Sequence, residues 1–280
     1  MNTVQIDKNI VLESSGRRFL CDAYFKNDLE QMPLVVFAHG YKGYKDWGAW
    51  SLMAKELANA GYYVVTFNFS HNGTTVEQPT DFADLEAFGH NTFVKELNDL
   101  DVVLSHFVNQ SKVQEDRVAV IGHSRGGGIT VLKTYEDPRI KALVTLAGVS
   151  DFAARMPKGE ALKKYLAEGV MFTENKRTGQ KLPHYWSYYD SFIEHKERLN
   201  IQHAAENLSV PYLIIAAEED EAVKLPEAEN LNRWCKTSQL VVIPKTGHTF
   251  GAKEPWDGEV LPEDLKKAVD AILKFLNESI

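Results

Sequence analysis

Between residues 118 and 128 an apolar run ends abruptly in a serine bracketed by glycines: Val118-Ala-Val-Ile-Gly-His-Ser-Arg-Gly-Gly-Gly128. A short apolar run followed directly by a helix-compatible segment leaves few folds open. It reads as a strand buried on both faces, a sharp turn and a helix returning along the sheet, which is the unit of a parallel α/β structure. The pentad Gly122-His123-Ser124-Arg125-Gly126 fits G-x-S-x-G. Its flanking glycines leave room for a strained turn in which side chains would meet the neighbouring strand and helix. A serine hydroxyl is a poor nucleophile unless it is held exposed at such a bend beside a base, so Ser124 is the candidate nucleophile. Chance alone supplies on the order of 0.05 such pentads from the Gly and Ser content of a chain like this, so the weight falls on the context.

That context alternates strands and helices. Segments 3–13 and 17–26 alternate apolar and polar residues and predict an antiparallel edge hairpin around Ser14-Ser15-Gly16. Parallel strands are expected near 34–39, 62–68, 117–122, 140–147, 211–217 and 239–244. Helices are expected near 49–60, 91–109, 125–136, 222–235 and 261–278. In the second of these, Phe93, Leu97, Leu100, Val103, Leu104 and Phe107 recur at helical spacing and predict a core face. The expected architecture is α/β: a mostly parallel twisted sheet of about eight strands with helices on both faces, its ligand site at the carboxyl ends of the strands.

Candidate partners for Ser124 follow in order. Val210-Pro-Tyr-Leu-Ile-Ile-Ala-Ala217 is a buried-strand run that leads into Glu218-Glu219-Asp220-Glu221, and Gln239-Leu-Val-Val-Ile-Pro244 leads into Thr246-Gly247-His248. The order Ser, acid, His, each on a loop after a strand, suits an elbow-borne serine and not other serine-hydrolase architectures. In this arrangement Ser124 attacks a carbonyl carbon. His248 takes its proton and later returns it to the leaving group, and an acid from 218–221 orients the imidazole. Earlier, Pro33-Leu-Val-Val-Phe-Ala-His39-Gly40-Tyr41 reads as a buried strand ending in His-Gly. A tetrahedral intermediate needs two backbone N–H donors. The residue after the nucleophile, Arg125, and the loop after this earlier strand, at Tyr41, are the candidates. His39 reads as structural, because His248 sits where the chain order wants the base. The Arg125 side chain either recognises a substrate carboxylate or pairs with a neighbouring acid.

On these residues the chain resembles the α/β-hydrolases, and within them the compact serine esterase and acyl-peptidase branch close to cinnamoyl and feruloyl esterases and dienelactone-hydrolase-like proteins. The resemblance is carried by His39-Gly40-Tyr41, Phe67-Asn-Phe-Ser70, Gly122-His-Ser-Arg-Gly126, Asp220 with Val223, and Gly247-His248. It implies the α/β-hydrolase fold and selects Asp220 as the acid through an Asp-x-x-Val pattern. Two departures stand out. Dienelactone hydrolases proper use a cysteine where this chain has Ser124, and Arg125 replaces the Gln or Met that often follows the nucleophile in the esterases.

Residues 151–206 break the alternation, and an insertion of that length usually carries function. The expected organisation is a core of 1–150 and 207–280 with a cap of 151–206, which the resemblance places over the active site. The insertion is rich in aromatics, and Arg177-Thr-Gly-Gln180 predicts a tight hairpin turn. Tyr185-Trp186-Ser187-Tyr188-Tyr189 is its densest aromatic stretch, so Tyr185 and Trp186 are the candidate substrate contacts.

The expected function is hydrolysis of a small carboxylic ester, with an aromatic or short acyl group, through an acyl-enzyme. The alternatives are a serine peptidase or acyl-peptide hydrolase acting on short peptides with the same residues, and a non-catalytic ligand-binding relative. A net charge of −8 argues against nucleic acid and anionic membranes as partners. No run reaches the roughly 18 apolar residues of a membrane span, and the first residues lack a basic-then-apolar leader. Only two cysteines, Cys21 and Cys235, on distant elements, fit free thiols in a reducing cytoplasm. No Cys/His cluster has zinc spacing, so neither a metal nor a cofactor is expected. The oligomeric state is not legible.

Overall fold

The computed structural model describes residues 3–280. The chain opens with an antiparallel hairpin of β1 (Val4–Ser14) and β2 (Arg17–Lys26), then runs into β3 (Met32–Ala38). It continues through α1 (Trp50–Asn59), β4 (Tyr63–Phe67), the short α2 (Leu85–Gly89), α3 (Phe93–Phe107), β5 (Val113–His123), α4 (Arg125–Glu136) and β6 (Ile140–Leu146). An insertion follows, made of a 3₁₀ turn (Ala153–Arg155), α5 (Gly159–Glu168), β7 (Val170–Asn175), β8 (Gln180–Tyr185), α6 (Trp186–Glu194) and α7 (Ile201–Glu206). The chain ends with β9 (Tyr212–Ala217), α8 (Leu225–Trp234), β10 (Ser238–Ile243) and α9 (Glu263–Ser279).

Eight strands form one sheet in the order β1-β2-β4-β3-β5-β6-β9-β10. From β4 onward every neighbouring pair is parallel, and the N-terminal hairpin joins antiparallel through β2 and β4. β7 and β8 form a separate antiparallel ribbon closed by Lys176–Gly179, where the tight turn was expected. β5 starts earlier than its apolar run. Val113–Gln114 pair with Met32–Pro33 before a register shift, and the strand then continues through Val118. α2 carries no apolar period long enough to announce it; the Asp84 side chain caps it by accepting from Ala87 N–H.

The period of two along each strand sorts the core into two layers. Leu34 and Val36 face the layer that holds Leu97, Leu100, Leu104, Ile129 and Leu132 of α3 and α4. Val35 and Phe37 face Trp50, Met53 and Leu57 of α1 and Leu265, Val269 and Ile272 of α9. Both faces of the central strands are thus covered, which is why these strands read as unbroken apolar runs. Among the described residues no helix is long and apolar enough to cross a membrane. Cys21 and Cys235 are buried and unpaired.

Candidate active site

β3 and β5 are neighbours in the sheet, so the loop after β3 and the turn after β5 emerge side by side at the carboxyl edge. β5 ends at His123, and Ser124 takes φ 55° and ψ −117° before α4 begins at Arg125. A side chain there in a left-handed conformation is strained and is held by its surroundings. Here Ser124 N–H donates to Leu146 O at 2.9 Å, and Ser124 O accepts from Gly127 and Val149 N–H. The flanking glycines are required by close approach. A Cβ on Gly122 would stand 2.3 Å from Gly126 O, and one on Gly126 would stand 2.4 Å from Ala38 O. The loop after β3 presses equally close, with a Cβ at Gly40 falling 2.9 Å from Ser124 Cβ.

The loops after β9 and β10 bring the other two groups together. His248 Nδ1 donates to Asp220 Oδ2 at 2.7 Å, and Asp220 Oδ1 accepts from Ala222 and Val223 N–H at 2.8 and 2.9 Å. Burial pushes the Asp220 carboxyl up. The bond and charge of His248 and the two backbone N–H groups outweigh it and hold the carboxyl below the ordinary carboxylate range. Asp-x-x-Val therefore has a local meaning: the carboxylate closes a turn on the amide of Val223. The neighbouring acids are placed differently. Glu218 accepts from Lys245 N–H, while Glu219 and Glu221 are exposed.

Ser124 and His248 line one cavity of about 370 Å³ together with Tyr41, Arg125, Phe93, Val149 and Val223 of the core. The insertion supplies Phe152, Arg155, Met171, Thr173, His184 and Tyr188. Phe93 and Phe152 stack at 3.9 Å and make a flat apolar wall. Tyr185 and Trp186, singled out from the sequence, do not line this cavity. The Tyr185 hydroxyl donates to Glu86, and Trp186 packs against Tyr165 and Tyr189 within the insertion, at ring separations of 5.2 and 5.0 Å. The difference is one of helix face. Trp186 and Tyr189 lie three residues apart on one face of α6, whereas Tyr188 and Phe192 lie four apart on the buried face. That i, i+4 pair was the signal available in the sequence; aromatic density was not.

The Arg125 side chain is partly buried and engaged on several sides. It meets Glu96 at 3.3 Å and the Tyr188 hydroxyl at 3.3 Å, with its guanidinium carbon 4.3 Å from the Tyr41 ring centroid. Burial raises the Glu96 carboxyl, and Arg125 and Asn91 offset only part of this. Arg125 thus ties α3 to α6. Its own amide is the first of α4, where N–H groups lack an intrahelical acceptor and the helix dipole is positive.

Three histidines missed or set aside in the sequence support this frame. His39 Nε2 accepts from Phe69 N–H, which leaves Nδ1 to donate to Gly40 O at 2.9 Å; burial lowers its pKa to about 4. His123 Nε2 donates to the carbonyl of His248 at 3.0 Å, and burial, with the nearby His248, lowers its pKa to about 3. His184 Nε2 hydrogen-bonds the Tyr41 hydroxyl at 2.6 Å, joining the loop after β3 to the insertion. Among the described residues no group of three or more His, Cys, Asp or Glu side chains is placed to hold a metal ion.

A family model described as "Alpha/beta hydrolase family" matches residues 35–258. Cutinase 1 of Thermobifida cellulosilytica is 27% identical over 129 residues, 44% of this chain and 42% of that protein, so the chain spans less than half the length of that relative. Est1E from Butyrivibrio proteoclasticus, solved with ferulic acid bound, superposes with a TM-score of 0.74 at 20% identity, covering 96% of this chain and 98% of that one. An acylaminoacyl peptidase of Pyrococcus horikoshii superposes with a TM-score of 0.70 at 16% identity, covering all of this chain and 42% of the other. At such identities these two structures share the fold.

Proposed function

The chain belongs to the alpha/beta hydrolase family, and from that premise we propose that it is a serine esterase that cleaves a small carboxylic ester through an acyl-enzyme. The observation that carries this reading is the 2.7 Å His248–Asp220 pair, with His248 and a left-handed Ser124 lining one cavity of about 370 Å³. Ser124 Oγ attacks the ester carbonyl carbon. His248, its Nδ1 committed to Asp220, receives the serine proton at its other ring nitrogen. The carbonyl oxygen gathers negative charge and is met by the N–H groups of Tyr41 and Arg125. The carbon–oxygen bond to the alcohol then breaks, and His248 gives the proton to the departing oxygen. Water repeats the cycle on the acyl-enzyme and frees the acid.

Residues 151–206 act as a cap over the acyl group. Phe93, Phe152 and Tyr188 suit a planar aromatic acyl chain, in keeping with the ferulic acid held by Est1E, and the cutinase relatives support ester chemistry. Substrate contacts therefore move from Tyr185 and Trp186 to Tyr188 and Met171.

A fluorophosphonate probe should label wild-type protein at Ser124 and leave Ser124→Ala unlabelled. Aryl esters should be turned over well ahead of aminoacyl anilides. Labelling that persists in Ser124→Ala sinks the assignment of the nucleophile, and faster anilide cleavage turns the reading to a peptidase.

A further inference from the structure

A second cavity of about 200 Å³ lies on the other side of Tyr41, and neither the ester carbonyl nor the acyl chain needs it. Lys42, Trp47, Trp50, Arg177, His248 and Thr249 line it, while Ser124 and Arg125 do not. The two cavities thus share His248 and Tyr41 and differ in access to the nucleophile. The acyl carbon must stay bonded to Ser124, so the acyl chain occupies the cavity that Ser124 lines. The alcohol oxygen must take a proton from His248, so the alcohol departs on the side that His248 lines without Ser124.

The charge of this second cavity runs against that of the molecule, whose formal net charge is −8. Lys42 Nζ donates to the backbone carbonyl of Glu174 at 2.7 Å and lies 5.2 Å from the Tyr41 ring centroid. Among the described residues, no carboxylate lies within ion-pair distance of Lys42, Lys176 or Arg177. Burial, followed by the charge of Lys176, lowers the pKa of Lys42 from its ordinary value, and the Glu174 carboxylate opposes this only in part. By contrast, both arginines that line the acyl cavity are neutralised, Arg125 by Glu96 and Arg155 by Glu227. Trp47 and Trp50, with ring centroids 6.2 Å apart and planes tilted by 33°, give the second cavity an aromatic wall. Lys42 itself sits at φ 60°, a strained conformation next to Tyr41.

We infer that this second cavity is the leaving-group site and takes a planar alcohol or phenol carrying a carboxylate or phosphate, which Lys42 and Arg177 bind. The inference rests on the esterase reading above. Bond-making is unchanged: the acyl–oxygen bond breaks, the acyl group moves to Ser124 Oγ, and the serine proton passes through His248 to the anionic alcohol.

The test uses three acetyl esters with the same small acyl group. Their leaving groups are para-hydroxybenzoate, para-hydroxyphenyl phosphate and the neutral methyl para-hydroxybenzoate. Each kcat/KM is divided by that ester's own alkaline hydrolysis rate, which cancels leaving-group reactivity. Wild-type protein should favour at least one anionic ester over the neutral one by roughly 5- to 10-fold at low salt. That advantage should fall toward unity in Arg177→Gln and Lys42→Met, and in wild type at about 0.5 M salt. Reading a ratio removes any loss common to all three esters, as from a shifted Tyr41. The anion that gains more identifies carboxylate or phosphate. Turnover of the neutral ester with the same anion advantage in wild type and both variants overturns the inference and leaves the esterase reading standing. If wild type hydrolyses none of the three, the esterase reading fails instead. Calorimetry with para-hydroxybenzoate then decides the site alone: binding abolished in the double variant supports it, and absent or unaltered binding overturns it.

Discussion

The two halves of the acyl cavity are built by different means. On the sheet side, Ser124, Asp220 and His248 stand on loops that leave the ends of β5, β9 and β10; backbone N–H groups and carbonyls hold Ser124 and Asp220, and Asp220 holds the His248 ring. On the insertion side, Arg155, Met171, Thr173, His184 and Tyr188 come from a 3₁₀ turn, a short ribbon and a short helix, and the side chains of His184 and Tyr188 tie them to Tyr41 and Arg125 of the core. In the proposed mechanism the first half positions the reaction, because strand ends in a packed sheet cannot drift. The second half shapes a volume, because its wall depends on which face of a helix or ribbon turns inward. If this division is real, substitutions on the sheet side should remove turnover, and substitutions on the insertion side should redistribute it among substrates.

The largest effect belongs to Ser124, the proposed nucleophile. Ser124→Ala should lower kcat by up to about 10⁶-fold, with His248→Ala about as damaging and the double variant little worse. The losses should be the same for aryl and acetyl esters. Steady-state kinetics on both esters checks this, and near-wild-type activity in Ser124→Ala would remove the sheet-side half of the comparison. Next is Asp220→Asn, which keeps the turn on Val223 but leaves the imidazole in the wrong tautomer, at a cost of up to about 10⁴-fold. Glu218→Gln and Glu219→Gln should cost far less. A collapse in one of these, with Asp220→Asn active, would move the acid.

On the insertion side, Tyr188→Ala and Trp186→Ala sharpen the contrast as a pair. Tyr188 lines the cavity, so its loss should cut kcat/KM for aryl-acyl esters by about 10- to 200-fold and leave the acetyl ester nearly as before. Trp186 is packed between Tyr165 and Tyr189, so its loss should lower the melting temperature and affect both esters alike. Reversed behaviour of the two variants would return Trp186 to the cavity wall.

This asymmetry also explains what could be read in advance. The strand ends, the glycine-bracketed turn and the chain order of Ser124, Asp220 and His248 follow from backbone sterics and strand periodicity, both of which leave marks in sequence. Gly126 is a glycine because Ala38 O occupies the space a Cβ would need. The inward face of α6 left a fainter mark, a single i, i+4 pair within nine residues. Nothing local announces that Glu96, one helix away on α3, neutralises Arg125, or that His184 meets Tyr41 across 143 residues of chain. Such contacts arise from packing between elements, and composition is silent on them. The histidine of the elbow, His123, was visible but unread; its role depends on the carbonyl of His248 above it.

A smaller effect tests by pH the contact between the insertion and the loop after β3. Burial, then the charges of Arg125 and Lys42, lowers the His184 pKa to about 3. Its folded value lies below the unfolded value of about 6.5. The unfolded chain therefore binds the extra proton first as pH falls. The stability held by neutral His184 is fully present above about pH 6.5 and is lost progressively from there toward about pH 3. Between pH 7 and 5 the loss should be about 1–2 kcal/mol. His184→Gln should flatten that part of the stability curve, read by denaturant titration at each pH. Parallel curves for wild type and variant would mean that the insertion does not hold His184 as described.

The smallest effect falls on the one side chain that belongs to both halves. The Tyr41 amide is the proposed oxyanion donor, while its hydroxyl reaches His184 of β8 at 2.6 Å and its ring lies under Arg125. Tyr41→Phe keeps the amide and the ring and removes only the hydroxyl. It leaves His184 Nε2 without this partner, next to an Nδ1 that is already buried without one. The net worth of such a bond is about 0.5–1.5 kcal/mol, so kcat should fall by about 2- to 10-fold. The informative quantity is how that loss divides between substrates. If the bond steadies the oxyanion loop, aryl and acetyl esters should lose equally in kcat with little change in KM, since the defect appears only when charge develops on the oxygen. If it chiefly holds the ribbon over the acyl group, the aryl ester alone should suffer, and mainly in KM. The first outcome would show the insertion acting on the reaction itself through Tyr41, and would break the clean division between a half that reacts and a half that selects. The second would keep that division intact, with Tyr41 as its boundary.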